Sequence, residues 1–328
     1  MTLLQLPPEL LLLVLGHLGS AFFAQDLRRL TVCKRWYDLA WRVFARELRL
    51  TEKSLSTFTD DDAALRRCQP YIATVQLLVE DLSSSPMVAP AAPRHPPPML
   101  EGDGWLSRWQ FQAAVDEWRS QFRASVSKLA TTLRRSPALR SLEFKSRNLT
   151  TEPLQDRRYE ERSSPHLCCE ISTLLPSLRQ LRCRMGTICE HLLEPPPAGT
   201  PLALEEVIVN LTIPELSDTY TAYHLSRRCD TPDTVLEGIS LVAAMEKKAA
   251  ALAARMQHPR MVRVISHNLP SLHVYAFDGI KGQKVQLHDN INWDAEGERV
   301  DEGQSNDSEE DNTDLFEDDS PVAPFIVL

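Results

Sequence analysis

The chain opens on a dense apolar run, residues 10–15, set directly behind Pro7, Pro8 and Glu9. Pro8 suits the first turn of a helix, where its missing N–H costs nothing. Glu9 suits the positive end of the helix dipole. The pattern predicts a helix that stops near Gly19. Six consecutive apolar residues point in all directions around such a helix. One face can pack on neighbouring segments, but the others would lie in water, and helices apolar all round are normally covered. The pattern therefore predicts a partner protein. After a loop over residues 19–25, Asp26 is placed to cap a short helix carrying Leu27, Leu30 and Val32. Trp36, Leu39, Ala40, Val43 and Phe44 then recur at helical spacing.

Beyond residue 50 a different rule repeats: an apolar residue, another three later, and another two after that. Ile72, Val75 and Leu77 follow it, as do Leu139, Leu142 and Phe144, then Leu178, Leu181 and Cys183, then Leu204, Val207 and Val209, and finally Leu272, Tyr275 and Phe277. The last two positions of each set alternate as a strand does. Helical patterns precede several of these strands, over residues 105–135, 166–175 and 234–257. Helix, Pro turn and short strand together resemble a leucine-rich repeat, in which units stack because none can bury its apolar side alone. The spacing between strands is irregular, so the resemblance is to a degenerate solenoid. An α/β body with coincidentally similar strands is the other reading. Pro-rich or charged stretches at 83–99, 145–165 and 195–201 read as loops.

Charge separates a third region. Residues 294–320 hold 13 acidic side chains against Arg299 alone, although the whole chain carries a net charge of only -9. This tail is expected to be disordered, with Ser305 and Ser308 as candidate phosphorylation sites and an apolar end, PVAPFIVL, that could dock. The rest is slightly basic with no dominant patch, which argues against nucleic acid as a partner. The first basic residue is Arg28, which argues against a secretory signal. The apolar run is too short to span a membrane.

The ordered set Leu6, Pro7, Glu9, Leu10, Val14, Leu15, Leu18, Asp26, Leu27, Leu30, Val32, Cys33, Lys34, Arg35 and Trp36 resembles the F-box motif. The link between Leu18 and Asp26, with Phe22 and Phe23, is longer than that pattern usually has. The resemblance covers about a seventh of the chain and implies a three-helix module that binds the Skp adaptor and, through it, a cullin scaffold with its RING subunit. Carried over by position, the adaptor contacts are Leu6, Pro7, Leu10, Val14, Leu15, Val32 and Trp36. Some of these, Val32 and Trp36 above all, could instead serve the module's own core.

The expected organisation is thus α/β: an F-box module over residues 1–50, an irregular leucine-rich-repeat-like α/β solenoid over 51–290 that binds a protein substrate, and an acidic disordered tail over 291–328. The resemblance implies a non-catalytic subunit of a ubiquitin ligase, or a Skp-binding scaffold outside any ligase. No Gly-rich phosphate loop, HExxH or GxSxG occurs. The seven cysteines include Cys168, Cys169, Cys183 and Cys189, near His166 and His191, but no pair has the spacing of a metal clamp. Packed, reduced thiols in the cytosol or nucleus are the expectation. No catalytic, cofactor or metal residue is assigned.

Overall fold

A computed structural model describes residues 5–79, 104–146, 167–197, 200–214, 223–229, 235–267, 273–288 and 292–300. The loops expected at 83–99 and beyond Ser146, both candidate phosphorylation sites and the apolar C-terminus lie outside the described residues.

The chain begins with helix α1 (Pro8–Gln25), a 3-10 turn at Leu27–Leu30 and helix α2 (Lys34–Arg46). Residues 19–25 were expected as a loop. They are helical apart from Gly19, whose φ of 74° and ψ of 171° bend the helix before it resumes. Only glycine enters that backbone region without strain. The resumed turn forms because Phe23 has somewhere to bury. Length and composition alone would let α1 cross a membrane, but the break leaves two pieces well short of the ~20 residues a span needs.

Helix α2 runs directly into strand β1 (Glu47–Thr51), so the helical module is continuous with the body rather than joined by a linker. Short helices α3 (Glu52–Asp60) and α4 (Asp62–Cys68) lead to β2 (Thr74–Val79). The long helix α5 (Gly104–Arg134) leads to β3 (Ser141–Ser146), and α6 (Leu167–Ser172) to β4 (Gln180–Arg184). Then come β5 (Thr187–Ile188), a 3-10 turn at Glu190–Leu193, β6 (Glu206–Asn210), β7 (Thr212–Pro214), β8 (Tyr223–Leu225) and β9 (Arg227–Arg228). Helix α7 (Val235–Ala253) precedes β10 (Met261–His267), β11 (Val274–Asp278), β12 (Gln283–Leu287) and β13 (Glu298–Arg299).

Nine strands form one sheet in the order β1-β2-β3-β4-β6-β10-β11-β12-β13. The first six are parallel and ascend in chain order. Their register aligns the repeated apolar pattern into rows. Leu48, Val75, Leu142, Leu181, Val207 and Val262 form one row, and Leu50, Leu77, Phe144, Cys183, Val209 and Val264 the next. All twelve are buried against the helices. The ladder even continues through the residues that lead into the strands, as Arg179 N donates to Arg140 O at 2.7 Å and Glu205 N to Arg179 O at 2.7 Å.

Four of the five expected strands join this parallel series. The fifth does not: β11 pairs antiparallel with β10 and with β12. The sixth parallel position belongs to β10, which the pattern missed, and the first to β1. The body is therefore a mixed α/β sheet region whose parallel part ends in an antiparallel meander. Residues 292–300, expected within the acidic tail, are folded onto the sheet, and residues 301–328 lie outside the described residues. Trp293 is buried, Arg182 Nη2 donates to Asp294 at 2.6 Å, and β13 pairs with β12, so residues 292–300 cover the sheet's far end instead of leaving it.

Candidate functional site

The N-terminal module closes its own core with few residues. Leu11, Leu15 and Phe23 from α1, Leu30 from the 3-10 turn, and Trp36, Leu39 and Ala40 from α2 are all buried in one cluster. Polar contacts fix the frame. Trp36 Nε1 donates to Arg29 O at 2.6 Å, and Arg35 Nη2 donates to Leu6 O at 2.7 Å, tying the start of the chain to α2. Arg29 donates to Phe22 O at 2.7 Å, and its guanidinium lies 4.3 Å from the centre of the Phe22 ring. The extra length between Leu18 and Asp26 is thus absorbed by a packed turn. Ser20 reaches Glu47 at the start of β1, a hydrogen bond that links module and sheet.

The remaining leucines are left outside. Leu10 is 48% exposed, Leu13 62%, Leu18 41%, Leu27 59% and Val32 61%. Among the described residues only one further large apolar side chain, Ile280, is exposed to this degree, so the exposure is concentrated on the module rather than scattered. Leu10, Leu13, Val14 and Leu18 follow i, i+3, i+4 and i+8 spacing and share one arc of α1, beside the arc that buries Leu11 and Leu15. Exposed Arg28, Lys34 and Arg35 put positive charge beside the Val32 turn.

The seven positions expected to contact an adaptor therefore divide. Pro7, Leu10 and Val32 are on the surface, and Leu6 and Val14 are half-buried. Leu15 and Trp36 are buried in the module's own core, where a partner cannot reach them without opening it. The same register that turns Leu11 inward turns Leu15 inward one turn later. Leu13, Leu18 and Leu27 are exposed positions that the carried-over set left out. The spacing from Leu10 to Leu13 is the signal that could have found Leu13.

The body offers a second surface, the sheet face opposite the helices. Across it run Arg49, Gln76, Glu143 and Arg182, one per strand. These groups largely satisfy one another: Arg182 pairs with Glu206 at 2.7 Å as well as with Asp294, and Lys145 pairs with Glu143 at 2.5 Å. Towards β10 the face becomes apolar, and Trp293 closes it, with Arg184 4.8 Å and Lys145 5.3 Å from its ring centre. At the opposite end of the strands an open depression is lined by Arg134, Arg135, Arg140 and Arg179. Arg134 pairs with Glu170, Arg179 with Glu205, and Arg140 donates to the carbonyls of Pro137 and Leu139, so most of that charge serves the fold.

Comparison with protein-family models matches residues 3–50 to the F-box-like family. The chain therefore carries an F-box-like domain, a class of module that docks on a Skp-type partner, and this domain spans α1, the 3-10 turn, α2 and most of β1. None of the curated proteins and none of the solved structures matches the chain.

Proposed function

We propose that the chain is the substrate-recognition subunit of an SCF-type (Skp–cullin–F-box) ubiquitin ligase. The F-box-like domain binds the Skp adaptor through the arc of Leu10, Leu13 and Leu18 with Leu27 and Val32. The body holds a protein substrate on its sheet face, where ascending, in-register parallel strands support a leucine-rich-repeat-like reading. The chain performs no chemistry itself, acting in the cytosol or nucleus by raising the effective concentration of substrate lysines at the ligase. The observation that carries this reading is an apolar surface on a module whose core is already complete without it. Exposed apolar patches of this kind mark interaction sites.

The test is affinity purification of the tagged chain from cells treated with a proteasome inhibitor. Adaptor and cullin should be retrieved together, along with ubiquitin-modified proteins. The double variant Leu10→Asp/Leu13→Asp should retrieve neither ligase component. Retrieval of the adaptor without cullin would instead favour a scaffold that works outside a ligase.

A further inference from the structure

Three cysteines far apart in sequence meet in the body. The sulfurs of Cys168, Cys189 and Cys229 lie within 4.8 Å of one another. Cys168 and Cys189 are buried and Cys229 is partly so. Three separate features of the fold bring them together. Parallel pairing of β5 with β9 sets Thr187 opposite Arg227 and Ile188 opposite Arg228, so the next position along each chain is Cys189 and Cys229. Cys229 N donates to Ile188 O at 3.2 Å, which holds that register. Helix α6, packed on the 3-10 turn at Glu190–Leu193, brings in Cys168. The frame beneath is anchored by Ser226, whose buried hydroxyl donates to Met185 O at 2.8 Å and approaches Leu211 O at 3.0 Å.

The distances decide what such a cluster can do. Cys168 Sγ and Cys229 Sγ are 3.9 Å apart. A disulfide needs sulfurs at ~2.05 Å. Two thiolates sharing a tetrahedral zinc ion with bonds of ~2.3 Å stand ~3.8 Å apart. The Cys168–Cys229 spacing fits a shared soft cation, and the widest pair, within 4.8 Å, needs to close by no more than ~1 Å to join it. Thiolate ligands favour zinc or copper(I) over hard cations, and burial of Cys168 and Cys189 limits the access of water to the ion.

We infer that Cys168, Cys189 and Cys229 form a three-thiolate zinc site with water as the fourth ligand. Three S–H bonds break and release their protons to solvent as three Zn–S bonds form, with no change of oxidation state. The ion ties α6, the turn after β5 and the end of β9 into one unit. This site is independent of the partner-binding module, and its presence or absence leaves the reading of that module unchanged.

The full chain, reduced and stripped of metal, is titrated with Zn(II), and with Co(II) as a spectroscopic probe. One equivalent should bind, cobalt should give a thiolate charge-transfer band with the visible bands of a tetrahedral site, and zinc should raise the melting temperature. Cys189→Ser and Cys229→Ser should each lose the one-equivalent site, while Cys33→Ser and Cys68→Ser should keep it. If a serine variant fails to fold, the wild-type chain still decides, because a chelator must lower its melting temperature. The inference is overturned by absence of stoichiometric binding, by a cobalt band that survives both serine substitutions, or by a disulfide joining two of the three in the protein as purified.

Discussion

Leu13 and Leu15 lie two residues apart on α1 and should behave as opposites. Leu15 is fully buried in a core of seven side chains, whereas Leu13 stands on the surface. Truncating a buried leucine to alanine costs about 2–5 kcal/mol, because a cavity adds to the lost transfer energy. With so few partners in the module, Leu15→Ala should cost about 3 kcal/mol. At a urea slope of about 3 kcal/mol/M this lowers the unfolding midpoint by about 1 M. Leu13 lies outside the module's buried core, so Leu13→Ala should change stability by no more than about 0.5 kcal/mol. Affinity should reverse the order. Covering Leu13 in an interface is worth about 2 kcal/mol, so Leu13→Ala should weaken adaptor binding roughly 30-fold. Urea melts followed by circular dichroism and Trp fluorescence, paired with titration calorimetry, measure both quantities. Equal destabilisation by the two variants, or a Leu13→Ala protein that binds as tightly as wild type, would refute the division of α1 into an inward and an outward arc.

Gly19→Ala should destabilise the module by about 1–3 kcal/mol, because its backbone occupies a region essentially restricted to glycine; a melt unchanged by the substitution would contradict the bend. Gly297→Ala would push a methyl group into the Gln286 carbonyl and towards Val285, so it should release residues 292–300, seen as faster amide exchange in β12 with the parallel strands unaffected. Asp62 is held below its ordinary value of 3.8, first by a hydrogen bond from Lys128, at 2.7 Å, and then by its charge. A depressed carboxylate adds stability above its unfolded pKa and loses it as pH falls through the folded one. Lys128→Gln should therefore return the Asp62 titration, followed by carboxyl NMR, towards 3.8 and flatten the stability profile on the acid side of that value.

Much of the body was legible because the sheet is in register. One apolar rule repeated at Leu142/Phe144, Leu181/Cys183 and Val207/Val209 since those residues share rows against the same helices. Of the two missed parallel strands, β1 obeys the rule through Ala45, Leu48 and Leu50, but Ala45 stands inside a helical pattern and hid it, while Pro259 breaks the rule at its first position before β10. The fifth pattern misled because β11 is covered on both faces: Val274 and Ala276 pack with Trp293, and Phe277 packs with the main core. Alternation alone cannot tell such a strand from a repeat unit. In the F-box-like domain the sequence order of the motif was clear, but motif letters do not say which leucines turn inward, and Leu15 and Trp36 proved to be core. The cysteine cluster was invisible for a different reason. Its members are brought together by β5–β9 pairing and by α6, so no local spacing carries them.

The proposed role requires the outward arc of the first helix to meet another polypeptide. Titration calorimetry of the purified full chain with the purified Skp adaptor reads that contact without intermediaries. The wild type should form a one-to-one complex and Leu10→Asp/Leu13→Asp should give no measurable heat, with both proteins giving the same circular dichroism spectrum and melting temperature. A correctly folded double variant that binds the adaptor with wild-type affinity would contradict that role.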